Sequence, residues 1–309
     1  MKAAIISVAL ALPVVLFWQD IQGVVSPGAK ASAIQLGDND KKDKKGKKDK
    51  DEEKEEKGPS DVVIINKWDT PPELLEISGI AWLSNDRFAC VQDELGSIFI
   101  YNTSTQKIEK QIPFSGAGDY EGVTLAGNTA YVLRADGKIY EVENINAAKP
   151  AVKEYTTHLT VKQDVEGLTY DKNNNRLLAA IKGDDPSGQS YKGIYAFDLK
   201  TKKMAQEPVY KIDLDHQVFA GTKGKKKNKI LEPSEIAVHP TSGEIYISDA
   251  DGKLLVMDNN GSIKNLYKMT DDAFTQAEGL SFSPDGKLYI SNEGKKDAGN
   301  ILEVQLKNQ

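Results

Sequence analysis

The sequence is poor in the side chains that most metal centres and covalent cross-links need. Its 309 residues include one cysteine, Cys90, and three histidines, His158, His216 and His239. A single cysteine excludes an intramolecular disulfide and every zinc or iron–sulfur site built on several cysteines. With so few histidines, a metal in this chain would have to be held by oxygen ligands.

An excess of positive charge is also missing. The chain has 40 Lys and Arg residues against 46 Asp and Glu residues, which gives a net charge of −6. Nucleic-acid binding draws much of its affinity from Lys and Arg on phosphates, so this balance argues against a nucleic-acid partner. The sequence has no Gly-x-Ser-x-Gly motif and therefore offers no support for a serine hydrolase.

The N-terminal segment has the pattern of a secretory signal. Met1-Lys2 is followed by sixteen uncharged residues, 3–18, as in a positive n-region before an apolar h-region. The stretch is shorter than the ~20 residues of a comfortable transmembrane helix. Ala31-Ser32-Ala33 offers a small-residue cleavage site. We expect residues 1–33 to be a signal peptide or, alternatively, an uncleaved anchor. Either one places the protein outside the cytoplasm: secreted, periplasmic or attached to a membrane through residues 3–18.

A neutral but highly charged segment follows. Of the twenty residues 38–57, nine are Lys and nine are Asp or Glu. Such a composition cannot be buried in a core. The sequence therefore predicts a disordered linker over residues 34–60.

A five-residue motif recurs five times in the remainder of the chain. The copies read Glu76-Ile77-Ser78-Gly79-Ile80, Asp119-Tyr120-Glu121-Gly122-Val123, Asp164-Val165-Glu166-Gly167-Leu168, Glu232-Pro233-Ser234-Glu235-Ile236 and Gln276-Ala277-Glu278-Gly279-Leu280. Their third residues are 43, 45, 68 and 44 positions apart, a period typical of a four-stranded propeller blade. The long interval is interpreted as one repeat plus an insertion of about two dozen residues.

Each copy is followed by β-branched and aromatic segments that are separated by polar turns, a pattern typical of strands. The sequence thus predicts an all-β fold, a five-bladed β-propeller of four-stranded blades over residues 61–309. The last copy supplies only three strands, so residues 61–68 are predicted to complete the last blade and close the ring. An open solenoid of stacked hairpins is the alternative.

The repeats resemble those of the SdiA-regulated, YjiK-like proteins. The resemblance covers residues 62–309 and rests on four elements: Leu75-Glu76-Ile77-Ser78-Gly79-Ile80-Ala81-Trp82, the Glu-Gly pairs at Glu121 and Glu166, Ser248-Asp249, and Gln276-Ala277-Glu278-Gly279. It implies an extracytoplasmic five-bladed propeller, distantly similar to NHL repeats, that binds calcium. The fourth copy departs from the pattern because Glu235 stands where the others have glycine.

The repeats also concentrate acidic residues. Because the motifs begin the innermost strands, they are expected to crowd one end of the central channel, here called the acidic mouth. The first and third motif positions include seven carboxylates in ten residues: Glu76, Ser78, Asp119, Glu121, Asp164, Glu166, Glu232, Ser234, Gln276 and Glu278. Like charges this close must share protons, pair with cations or bind a metal.

Calcium is the metal that prefers such oxygen ligands. Glu121, Glu166 and Glu278 are the first candidate ligands. Asp93 and Asp249, at the ends of second strands, are weaker candidates because their side chains could instead cap turns. Asp119 and Asp164 could orient neighbouring backbone.

A purely ionic network is the competing interpretation of the acidic residues. The second strands also bring Arg134, Lys182 and either Asn292 or Glu293 to this mouth, and the two cations could neutralise part of the acidic charge.

Three functions remain open at this point. The first is a calcium-binding module for an unknown ligand or protein at the acidic mouth. The second is a lactonase- or esterase-type hydrolase that uses a channel calcium, for which only His216 lies in a mouth loop as a base. The third is a structural scaffold. The lysine-rich insertion, with Lys223, Lys225, Lys226, Lys227 and Lys229, is expected over the same mouth as a flap or a solvated loop.

Overall fold

The computed structural model describes residues 58–222 and 226–307. The predicted signal segment and most of the predicted linker lie outside the described residues, as do Lys223 and Lys225 of the insertion. The described part folds into five antiparallel sheets. Its helices are short, and none is long and apolar enough to cross a membrane.

The first two blades follow a single strand at the start of the fold. In chain order, the strands are β1 (Val62–Asp69), then β2 (Ile77–Ser84), β3 (Arg87–Gln92), β4 (Ser97–Asn102) and β5 (Lys107–Pro113) of blade 1, and β6 (Tyr120–Ala126), β7 (Thr129–Arg134), β8 (Ile139–Glu143) and β9 (Ala151–Tyr155) of blade 2. A one-turn 3-10 helix, Pro72–Leu74, precedes β2.

The other three blades continue the pattern. Their strands are β10 (Val165–Asp171), β11 (Arg176–Ile181), β12 (Tyr191–Asp198), β13 (Lys203–Met204) and β14 (Tyr210–Asp213) of blade 3, β15 (Pro233–Val238), β16 (Ile245–Asp249), β17 (Lys253–Met257) and β18 (Ile263–Lys268) of blade 4, and β19 (Ala277–Phe282), β20 (Leu288–Asn292) and β21 (Asn300–Leu306) of blade 5. In blade 3 the outer strand is interrupted, because β13 and β14 pair with opposite halves of β12.

The ring closes as the sequence predicts. Blade 5 has the strand order β1-β21-β20-β19, so the first strand of the fold is the outer strand of the last blade. The β1–β21 pairing runs antiparallel from Val62 opposite Leu306 to Asp69 opposite Asn300. The five-bladed propeller of four-stranded blades is confirmed.

Apolar side chains between the blades hold the ring together. Five buried clusters are present, and each combines residues from two neighbouring blades. The cluster between blades 5 and 1, for example, packs Phe88 against Tyr289, with ring centroids 5.0 Å apart. Cys90 is buried in the same cluster, and burial raises the pKa of its thiol. It is a core residue, consistent with the short apolar strand around it.

The insertion between β14 and β15 packs onto the propeller through a short 3-10 helix, Gln217–Phe219, whose Phe219 is buried. A second 3-10 helix, Lys227–Lys229, carries two of the predicted basic residues. Lys227 pairs with Asp215, and Lys229 lies 3.2 Å from Glu232. These two lysines are therefore neutralised within the insertion.

Candidate functional site

Every innermost strand has a β-bulge at its start. The pairing register shifts at the third position of the motif in all five blades. The residues at the shifts are Ser78, Glu121, Glu166, Ser234 and Glu278. A bulge leaves one residue outside the ladder and changes the direction of its side chain. The recurring bulge therefore sets the direction of the side chain at the third motif position in all five blades.

Four of these residues, all except Ser234, line a small cavity at the acidic mouth. We call this cavity the acidic chamber. Its volume is about 110 Å³ and it is lined by Ile77, Ser78, Asp93, Glu121, Glu166, Lys182, Gln276, Glu278 and Glu293. Five carboxylates thus share one cavity with a single cationic side chain. The predicted ligands Asp93, Glu121, Glu166 and Glu278 are all among them.

Hydrogen bonds connect neighbouring members of the chamber. Lys182 Nζ lies 2.9 Å from Glu166 Oε1. Gln276 Nε2 donates to Glu278 Oε1 over 2.7 Å and to Glu293 Oε2 over 2.5 Å. The carboxylates are arranged around the wall of the chamber. Within residues 58–222 and 226–307, no three Asp, Glu, His or Cys side chains already form a metal-binding group.

On the other side of the chamber, Ser78 Oγ donates to Asp93 Oδ1 over 2.5 Å. Burial raises the pKa of Asp93, and this hydrogen bond opposes the shift.

Burial makes full ionisation of the chamber unfavourable. Desolvation raises the pKa of Glu278 to about 7, and the charges of Glu293 and Asp93 add to the shift. Burial and the charge of Glu166 raise the pKa of Glu121 well above its ordinary range. Burial also raises the pKa of Glu166 itself, although Lys182 opposes the shift. One lysine therefore does not compensate for this many carboxylates.

These shifts predict an unusual pH dependence for the metal-free protein. In EDTA, stability should fall as pH rises above 4.5, the ordinary value for glutamate. The unfolded chain then releases protons that the folded chamber retains, so the folded state binds more protons. For Glu278 alone the loss, complete above its pKa of about 7, amounts to about 3 kcal/mol. Urea unfolding at a series of pH values measures it.

Glu278→Gln should flatten part of this pH dependence. A matched control is Glu154→Gln in the outer strand β9, because the pKa of Glu154 is lowered by its pairing with Lys138. A stability that rises steadily between pH 5 and 8 would contradict the assignment of raised pKa values.

Glu235 occupies the channel wall where four other repeats have glycine. Its side chain is 0% exposed. Its Oε1 accepts hydrogen bonds from the backbone N–H groups of Leu168, over 2.6 Å, and Ile236, over 2.9 Å. Its Oε2 is buried without a hydrogen-bond partner among the described residues. Burial, together with the charges of Glu166 and Glu278, raises its pKa well above the ordinary value.

The structure does not bring Asp249 into the chamber. Its carboxylate accepts hydrogen bonds from the backbone N–H groups of Glu232, over 2.8 Å, and Asp251, over 2.7 Å. It also pairs with Lys253 at 3.1 Å. This is the turn-capping alternative that the sequence left open, and we omit Asp249 from the ligand set.

Arg134 and Ser234 likewise bond outside the chamber. The guanidinium of Arg134 pairs with Asp136 at 2.6 Å and is therefore not the counter-ion of the chamber acids. Ser234 Oγ donates to the carbonyl oxygen of Ala277 over 2.6 Å, which ties blade 4 to blade 5.

The acidic residues at the first motif position do not line the chamber. Two of them have clear backbone roles. The carbonyl oxygen of Asp119 accepts from the N–H of Ala135, and that of Asp164 accepts from the N–H of Lys182. Asp164 has a left-handed backbone, with φ of 48°. Glu76 and Glu232, the other two acidic residues at this position, also lie outside the cavity lining.

None of the three histidines lines the chamber. His216 Nδ1 accepts from the N–H of Val218 and begins the insertion helix. His239 Nδ1 accepts from two N–H groups of a turn, and the ring of His158 packs against Tyr195. The base that the hydrolase alternative requires is thus not supplied by a histidine beside the acidic chamber.

Larger cavities lie outside the acidic chamber. One, of about 270 Å³, is lined by the later residues of the innermost strands, including Leu168 and Leu280. We call it the opposite chamber. Another, of about 520 Å³, lies between the insertion and blade 4, with Val218 and Lys253 in its wall. It shares no lining residue with the acidic chamber. The cluster of carboxylates therefore lines the small cavity and not this larger one.

Comparison with known proteins supports the resemblance seen in the repeats. A model of the SdiA-regulated family matches residues 72–296, which include all five motifs. The chain belongs to the SdiA-regulated family. No curated protein matches this member of the family.

Solved structures are similar to this SdiA-regulated protein at low sequence identity. Glutaminyl cyclase from Myxococcus xanthus is 14% identical with a TM-score of 0.54, over 79% of this chain and 96% of that one. Virginiamycin B lyase from Staphylococcus aureus is 14% identical with a TM-score of 0.43, over 78% of this chain and 74% of that one. At 14% identity, the likeness to glutaminyl cyclase is one of fold alone.

Proposed function

We propose that the protein is a calcium-binding β-propeller that acts outside the cytoplasm as a binding module. The observation that carries the proposal is the acidic chamber, where five carboxylates converge on about 110 Å³ with Lys182 as the only cationic lining residue. The proposed location follows from the signal-like pattern of residues 1–33.

The donor chemistry of the chamber fits calcium. All of its candidate ligands are oxygens, and calcium accepts six to eight oxygen ligands at flexible geometry. The unpartnered, buried Oε2 of Glu235 nearby is a second feature that a cation would satisfy. Glu121, Glu166, Glu278 and Asp93 would hold the ion.

When bound, calcium supplies positive charge and coordination positions for further oxygen ligands. Two residues of this chain position the carboxylates. Lys182 holds the Glu166 carboxylate, and Gln276 orients Glu278. The chamber opens at the acidic mouth, where an oxygen-bearing small molecule or an acidic or amide side chain of a partner protein would meet the ion. We favour binding over hydrolysis because the three histidines have other contacts.

Calcium-dependent thermal unfolding of the full chain tests the proposal. Relative to EDTA, calcium at about a hundred times its dissociation constant should add about 2.7 kcal/mol of stability, a rise in Tm of roughly 5–10 °C for a domain of this size. Magnesium should give a smaller shift because it needs near-octahedral geometry.

Glu121→Gln and Glu166→Gln should abolish most of the shift, and Glu154→Gln should retain it. If millimolar calcium leaves the Tm of the wild-type chain unchanged, the chamber is an ionic network around Lys182, and the calcium proposal and its hydrolase variant both fail. A calcium shift without any ligand at the mouth would favour the scaffold.

A further inference from the structure

A side chain at the position of Glu235 is not needed to form a blade. Four of the five repeats place glycine at this position, Gly79, Gly122, Gly167 and Gly279, and their blades form without it. Leaving a polar atom buried without a partner costs about 1–3 kcal/mol. The fold thus carries a buried carboxyl with one unpartnered oxygen, which the other four blades do without.

The contacts of Glu235 place it between the two channel chambers. Its Oε1 is bonded to the N–H of Leu168, which lines the opposite chamber. Leu168 is two residues from Glu166 in β10. Ser234, which precedes Glu235, bonds to the carbonyl oxygen of Ala277, the residue before Glu278. Glu166 and Glu278, both of which line the acidic chamber, are near enough for their charges to act on the carboxyl of Glu235.

The two oxygens of this carboxyl differ in what they can do. Oε1 already accepts two backbone hydrogen bonds, which hold the side chain across the channel. Oε2 has no partner among the described residues, and no lysine or arginine side chain is bonded to it. Only Oε2 is available to an additional ligand.

We infer that Glu235 Oε2 is the innermost ligand of the cation in the acidic chamber. This inference rests on the function proposed above and adds a residue to it. The carboxylates at the bulges, Glu121, Glu166 and Glu278, surround the ion from the wall, and Glu235 closes the chamber from the channel side. The substitution of glycine by glutamate in one blade then gives the channel a floor and makes the site accessible only from the acidic mouth.

A purely steric role for Glu235 predicts a different effect on calcium affinity. A neutral carboxyl that merely blocks the channel would keep its bonds to Leu168 and Ile236 and make no contribution to calcium affinity. Glutamine is the discriminating replacement because it keeps the Oε1 acceptor and the shape while replacing the free Oε2 by an uncharged amide.

Calcium titration calorimetry on the full chain distinguishes a ligand role of Glu235 from a purely steric one. The chains compared are wild type, Glu235→Gln, Glu235→Gly and the control Glu154→Gln. Glu235→Gln should weaken calcium binding by roughly tenfold or more, since affinity follows the number of charged ligands. Its Tm in EDTA should equal or exceed that of wild type, because a buried carboxyl is removed. Glu235→Gly, which restores the residue of the other blades, should also fold and bind calcium weakly.

If wild type binds calcium and both Glu235 variants bind it equally well, the Glu235 inference is wrong and the proposed function stands. If wild type itself binds no calcium, both are wrong.

Discussion

Deletion of residues 1–69 is expected to abolish the folded propeller. The truncation removes β1, which pairs along its length with β21 and buries Val62. The edge of β21 would then be exposed together with the apolar cluster beneath it, and an open edge of this kind pairs with other chains. The loss is expected to approach the entire stability of the domain, on the order of 5–15 kcal/mol.

The control is deletion of residues 1–57, which leaves all five sheets complete. Size-exclusion chromatography and thermal unfolding of the two truncated chains measure the difference. The shorter deletion should elute without aggregates and keep the wild-type Tm. A stable monomer with the same Tm after deletion of residues 1–69 would show that β1 does not close the ring.

Gly79→Ala is the second change with a large expected effect. A Cβ at this position would lie 2.9 Å from the carbonyl oxygen of Glu121 and 2.9 Å from the amide nitrogen of Val123, both in the neighbouring blade. Backbone atoms of the innermost strands cannot move aside without separating blades 1 and 2. We expect a loss of about 3 kcal/mol and a Tm lower by roughly 6–12 °C.

Gly116→Ala is the matched control, because a Cβ on Gly116 meets nothing within 4 Å. Its effect should stay within about 0.5 kcal/mol of wild type. Equal stabilities for the two variants, measured by urea unfolding, would mean that the innermost strands are not in the close contact described here.

The architecture was predictable because the repeat is periodic. The spacing of the five motifs determines the number of blades, and the unpartnered strand pattern of residues 61–68 predicts the closure that β1 makes. The interrupted outer strand of blade 3 was not predictable in this way. Outer strands such as β13 and β14 contribute few buried residues, so their sequence carries a weak hydrophobic pattern.

The site was predictable only in part. The motif brings Glu121, Glu166 and Glu278 to one mouth, and the structure places all three in the acidic chamber. The β-bulge at the third position was not foreseen, since it depends on pairing between strands rather than on residue type. The partners of Asp249 and Arg134 could not be chosen from the sequence either. Asp249 pairs with Lys253 and Arg134 with Asp136, both nearby in the chain, and the sequence does not show whether such a local pair or the channel site is preferred.

Glu235 illustrates a different limit of sequence reasoning. The sequence shows a glutamate where the other four repeats have glycine. That difference alone does not predict in which direction the side chain points. The direction depends on the N–H groups of Leu168 and Ile236, which the inner edges of β10 and β15 leave free to donate.

Anomalous diffraction from crystals grown with calcium tests the central claim most directly. The account predicts a single strong anomalous peak in the acidic chamber, within coordination distance of oxygens from Glu121, Glu166 and Glu278. Glu235 Oε2 should contact the same ion. A map at saturating calcium with no peak in the chamber, and with Lys182 still paired to Glu166, would contradict the account.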